Sequence, residues 1–102
     1  MLWIVYCIAK TNIGEVRAAA SAAHSAYLKS KEDMIFFSGQ TLTDDGQGTT
    51  GNVFIIYAKT RAEAQAFSDG EGYTRAGVFE SVRITRMKKG RFKPELLQLL
   101  QQ

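Results

Sequence analysis

The chain contains one histidine, one cysteine and ten aspartate and glutamate residues, so His24 is the natural starting point for any acid–base chemistry. Imidazole is the one side chain whose unperturbed pKa lets it take and give a proton near neutrality. On a wheel of 100° per residue, His24 lies between Ala20 and Leu28, in an arc completed by Val16, Ala23 and Tyr27. It faces the packed side of its helix, which leaves two uses open: a hydrogen-bonded core residue, or a proton carrier beside a pocket. Small neighbours at Ala20, Ala23 and Ala26 leave room next to the ring, as the second use requires. A metal centre is not expected, because one His and one Cys cannot supply three or four ligands and the carboxylates lack ligand spacing. Gly46-Gln47-Gly48 precedes a strand rather than a helix and reads as a turn, not a dinucleotide fingerprint. Ser21, Ser25 and Ser38 lack a nucleophile elbow. Cys7 sits in an apolar run and reads as core filler.

The elements that must hold His24 follow from pattern. Residues 2–9 are β-branched and aromatic with no helical period, hence a strand. Asn12 followed by Glu15 reads as a helix N-cap with its carboxylate three residues on, opening an alanine-rich helix over residues 15–30. Residues 34–37 form a second strand ended by Ser38-Gly39; residues 44–48 are turn chemistry, and residues 52–58 a third strand. A second helix covers residues 61–67, a loop residues 69–72, a short helical turn residues 73–78, and a fourth strand residues 80–87. The order βαββαβ predicts a ferredoxin-like α+β domain, a four-stranded antiparallel sheet with two helices on one face.

Composition agrees with a single domain of 102 residues: 45% hydrophobic, 23% charged, net charge +3. The apolar opening lacks a basic leader and a cleavage site, and no run is long enough to span a bilayer, so a cytoplasmic protein without a membrane partner is expected. Arg83, Arg86, Lys88, Lys89, Arg91 and Lys93 cluster near the C-terminus without interleaved aromatics beyond Phe92. They read as a solvated strand end, not as a nucleic-acid site. The first strand is apolar on both sides, Leu2, Ile4, Tyr6 and Ile8 against Trp3, Val5 and Cys7. The third strand repeats this, with Val53, Ile55 and Tyr57 against Phe54, Ile56 and Ala58. Two helices cover only one face, so the other predicts a homodimer. After Pro94, Leu96, Leu97, Leu99 and Leu100 oppose Gln98, Gln101 and Gln102 in a short amphipathic helix that must dock on something. The expected division is therefore a domain over residues 1–90 and a basic linker with that helix over residues 91–102.

Three separated landmarks carry a resemblance. Glu71-Gly72-Tyr73-Thr74-Arg75-Ala76-Gly77-Val78-Phe79 resembles the Asp-Pro-Tyr/Phe-x-x-Ala-Gly-Val/Leu-Phe signature of the YciI-like family. His24-Ser25-Ala26-Tyr27-Leu28 resembles the family's His-x-x-x-Leu helix, and Ser38-Gly39 its small-Gly step. The resemblance implies a fold of the dimeric α/β barrel type and a small-molecule pocket around a His–carboxylate pair. His24 would be one half, and Glu71 would stand in for the family's Asp, with Asp69 as the alternative partner. Gly72 replaces the family's Pro, removing its stiffness, and Gln40 stands where a Pro often follows the glycine. Tyr73, Ser38 and Gly39 would border the substrate.

Characterised relatives and cousins of that fold act on small oxygenated rings by isomerisation or elimination, dehydrochlorination of a chlorinated hydroxyquinol among them. The expectation is a cofactor-independent enzyme of isomerase or lyase type, moving a proton on a small cyclic or hydroxylated substrate. A non-catalytic binding homodimer and a cofactorless monooxygenase of the same fold are the alternatives.

Overall fold

The computed structural model describes residues 1–100; Gln101 and Gln102 lie outside the described residues. Strand β1 (Leu2–Ala9) leads to helix α1 (Gly14–Ser30), then to a single 3₁₀ turn and β2 (Ile35–Leu42). Strand β3 (Thr49–Tyr57) is followed by α2 (Arg61–Gly70), the short α3 (Gly72–Arg75) and β4 (Phe79–Met87). All pairs are antiparallel in the order β2-β3-β1-β4, with the two middle strands being those apolar on both sides. This is the ferredoxin-like α+β fold, with β4 at an edge.

Alternation puts Trp3, Val5 and Cys7 of β1, Phe54 and Ile56 of β3 and Ile84 of β4 on the buried side. Ala20 of α1, Ala64 and Phe67 of α2 and Tyr73 of α3 close over them. Trp3 Nε1 donates to Ala58 O at 3.1 Å, so the one tryptophan satisfies its polar atom at the strand end. Phe54 and Phe67 meet edge to face, ring centroids 5.4 Å apart. The opposite face is uncovered over much of its area: Tyr6, Ile8, Phe37 and Tyr57 are each at least 40% exposed.

Several boundaries differ from expectation. Asn12 is not the cap of α1. It turns the chain in the left-handed region at φ 57°, Ile13 takes the cap position, and no side chain caps the helix. Asparagine tolerates that backbone because its short amide bonds locally. Strand β2 runs through Ser38-Gly39 to Leu42, because ladder bonds to β3 outweigh the weak strand preference of that pair. Its register slips between Ile35 and Phe37, leaving Phe36 as an extra residue. The C-terminal segment forms a 3₁₀ stretch, Pro94–Leu100, not an α-helix. It folds back on the chain's own sheet: Phe92 meets Phe36 edge-on at 5.5 Å, and Leu97 joins Leu2, Phe37, Ile55 and Met87 around a shallow hollow. The basic cluster from Arg83 to Lys93 is exposed throughout. Among the described residues no helix is long and apolar enough to cross a membrane.

Candidate active site

The site forms where α1 meets the start of α3, at residues 47 positions apart in the chain. Glu71 ends α2 and caps α3: one carboxylate oxygen accepts from Tyr73 N–H at 3.1 Å. Its other oxygen meets His24 Nδ1. Glu71 is 1% exposed and the His24 side chain 12%, so burial of the carboxylate is offset by two N–H donors.

Gly72 makes this approach possible. A Cβ there would come within 2.6 Å of His24 N, 2.8 Å of His24 Cα and 2.9 Å of Ala23 C. The absent side chain lets the two backbones touch, which brings Glu71 under the imidazole. The glycine that loses proline's stiffness is fixed by α1 instead.

The bonding assigns the protons. A carboxylate accepts at both oxygens, so Nδ1 carries the hydrogen and, in the neutral ring, Nε2 keeps the lone pair. Nε2 has no protein partner and is not sealed: the buried side-chain polar atoms lacking a partner among the described residues are Arg17 Nη1 and Thr74 Oγ1. The imidazole is also stacked face to face on Tyr73, centroids 3.9 Å apart and 12° between planes. Pinned at Nδ1 and held flat, the ring presents one nitrogen outward.

Glu71's charge is felt in the surrounding core. The Cys7 thiol is pushed up to about 12, first by burial and then by Glu71. The Tyr27 phenol is raised by burial, then by Glu71 and Asp69; it donates to Phe67 O at 3.0 Å. Cys7 is therefore a neutral thiol inside the core, not a nucleophile.

Of the residues named from sequence, His24, Glu71 and Tyr73 come together. Asp69 does not join them: it is exposed on α2, where it accepts from Gln65 Nε2 at 2.9 Å. Ser38 and Gly39 lie in β2 opposite Phe54 and Val53, exposed and without a hydrogen bond to the pair. Two residues beside the site escaped the sequence reading. Arg17 Nη2 donates to Asn52 Oδ1 at 2.6 Å, and its guanidinium lies 4.6 Å from the Tyr73 ring centroid. Both left traces. Arg17 is seven residues before His24 and so shares its helix face, while Val16, placed on the inner arc, is 43% exposed. Asn52 is a polar residue in phase with inward-facing Phe54 and Ile56.

The chain is similar to known proteins in sequence and in structure. The chain is 32% identical over 100 residues to Protein YciI of Escherichia coli O6:H1 (strain CFT073), covering 87% of this chain and 98% of that protein. The Shigella flexneri Protein YciI matches to the same extent. Among solved structures, the 5-chloro-2-hydroxyhydroquinone dehydrochlorinase of Burkholderia phenoliruptrix AC1100, in complex with 2,5-dihydroxybenzoquinone, superposes with a TM-score of 0.80. It is 31% identical, and the match covers 88% of this chain and 96% of that one. The model of the YCII-related domain matches residues 1–88, and on that match and these identities the chain belongs to the YCII-related family.

Proposed function

We propose that this protein is a cofactor-independent enzyme that moves a proton on a small hydroxylated ring, by elimination or isomerisation. The observation that carries the reading is a histidine held at Nδ1 by a buried carboxylate, with Nε2 left without a protein partner. In an elimination, Nε2 accepts a substrate proton as the leaving group departs with its bonding pair. Glu71 then stabilises the imidazolium and does not itself take the proton. Tyr73, stacked on the ring, offers its hydroxyl to the substrate. The similarity to an enzyme named for dehydrochlorination of a hydroxylated ring supports this substrate class.

The working unit in this reading is a homodimer, in which a second copy covers the open sheet face around Tyr6, Phe37 and Tyr57. The test is chloride release from 5-chloro-2-hydroxyhydroquinone, with isomerisation of related hydroxylated rings and lactones followed by absorbance. His24→Asn should fold and assemble normally while turnover falls by about two to four orders of magnitude. Wild-type binding without turnover across the panel would replace the enzyme by a small-molecule binding protein.

A further inference from the structure

The C-terminal segment carries charge and apolar surface that the site at His24 does not use. Arg83, Arg86, Lys88, Lys89, Arg91 and Lys93 are all exposed, and no acidic residue falls between Ser81 and Pro94. Among the described residues the one side-chain ion pair is His24–Glu71, so no carboxylate neutralises any of these cations. Every residue from Lys88 to Leu100 is exposed, Leu99 at 76% and Leu100 at 62%. The segment's own contacts account for only part of this apolar surface. Phe92 packs on Phe36, and Leu97 borders the hollow with Leu2 and Ile55. In the 3₁₀ stretch Pro94–Leu100, with three residues per turn, Leu96 and Leu99 form a row apart from Leu97. Leu96 N–H donates to Lys93 O at 3.1 Å, a bond inside the segment. Large apolar side chains left in water beside unpaired cations mark an interaction surface.

We propose that residues 88–100 seat the protein reversibly on an anionic lipid surface. Lys88, Lys89, Arg91 and Lys93 meet the lipid phosphates, and Leu96, Leu99 and Leu100 enter the layer beneath them. Charge draws such a segment in, and buried apolar area holds it. Other partners fit the pattern less well. A nucleic acid would engage the cations and leave the leucines wet, and Phe92 is the one aromatic of the segment on which a base could stack. A second copy offers no run of opposite charge, since the ten acidic residues fall nowhere more than two together in the chain. A fluid layer asks for no concave fit, and these three leucines stand out from the surface rather than line a cleft. Adsorption needs no spanning helix, and none is present among the described residues.

The test is sedimentation of the intact chain with vesicles of phosphatidylcholine alone or of phosphatidylcholine and phosphatidylglycerol in equal parts. Wild type should pellet with the anionic vesicles and stay in solution with the neutral ones. Pelleting should weaken between about 0.1 M and about 1 M salt, where the Debye length falls from about 10 Å to about 3 Å. A variant joining Lys88→Gln, Lys89→Gln, Arg91→Gln and Lys93→Gln should lose about 100- to 1,000-fold in partition coefficient, roughly fivefold for each charge. Leu96→Ser with Leu99→Ser leaves Phe92 and Leu97 in their contacts and should lose about 10-fold or more. The changed side chains are exposed and outside the His24 site, so circular dichroism should match wild type; the two lipid compositions and the salt series test the proposal on the unaltered chain in any case. Absence of wild-type pelleting, or equal pelleting with neutral vesicles, overturns the proposal. So does an unchanged charge variant, or an unchanged leucine variant, since purely ionic adsorption gives the leucines no part. Tighter binding to a duplex oligonucleotide than to anionic vesicles would assign the segment to nucleic acid instead.

Discussion

Replacing Glu71 by Gln should move a proton from one side of the His24 ring to the other. The carboxylate accepts two N–H groups, His24 Nδ1–H and Tyr73 N–H at 3.1 Å. The amide of Gln has one acceptor oxygen and one donor nitrogen. With the oxygen kept on Tyr73, the NH₂ faces Nδ1, which must become an acceptor, and the hydrogen transfers to Nε2. With the amide reversed, its NH₂ abuts Tyr73 N–H, and two buried donors face each other at a cost of about 1–3 kcal/mol. That difference depletes the tautomer with a free Nε2 lone pair by about 5- to 150-fold, and turnover should fall by the same factor with the fold intact. The chain has one histidine, so a long-range ¹H–¹⁵N correlation of the imidazole shows one pair of ring nitrogens with no assignment problem. In the neutral form the wild-type ring should carry its hydrogen on Nδ1 and the Glu71→Gln ring on Nε2. A wild-type ring protonated on Nε2, or a variant with an unchanged pattern, would refute the argument that Glu71 sets the tautomer.

Other outcomes follow from the same geometry. Gly72→Ala should cost about 1–3 kcal/mol in denaturant unfolding, because its Cβ meets the backbone of His24; unaltered stability would mean that α1 yields freely. Light scattering on the intact chain should give about twice the monomer mass of 11.3 kDa, and a monodisperse monomer would remove the argument from the open sheet face. Deleting residues 94–102 should lower the melting temperature or alter the assembly, since Leu97 borders the same hollow as Leu2 and Ile55 and Phe92 beside it packs on Phe36; an unchanged melt and mass would make the segment dispensable. Burial and then Glu71 push the Cys7 thiol up from 9.0 to about 12 in the fold, so its stabilising effect is complete below pH 9.0 and is lost as pH rises towards 12. Alkaline unfolding of Cys7→Ala should lack that component, and an identical pH slope in both proteins would contradict it.

The order of elements and the two-sided apolar strands were legible in the sequence because runs of β-branched and aromatic residues without a helical period mark strands. Leu2–Ala9 read correctly for that reason. The end of β2 did not: Ser38-Gly39 looks like a stop locally, and only its ladder with β3 carries the strand on. The cap of α1 misled because Asn12 suits both a cap and a left-handed turn, and local chemistry does not separate them. At the site, helix phase turned His24 inward, but the choice between Glu71 and Asp69 needed the path of the chain after α2. Arg17 was passed over because a wheel drawn from apolar residues alone favours Val16.

The contact at Gly72 gives α1 a mechanical part to play. Because the main chain of α3 rests directly on the main chain at His24, the dyad depends on how α1 and α3 sit together as well as on its two side chains. The 17-residue helix then behaves as a lever with its fulcrum at the glycine. A small tilt imposed at either end of the helix is delivered to the carboxylate–imidazole bond through that backbone contact. Conditions that move the helix should be visible at one ring nitrogen.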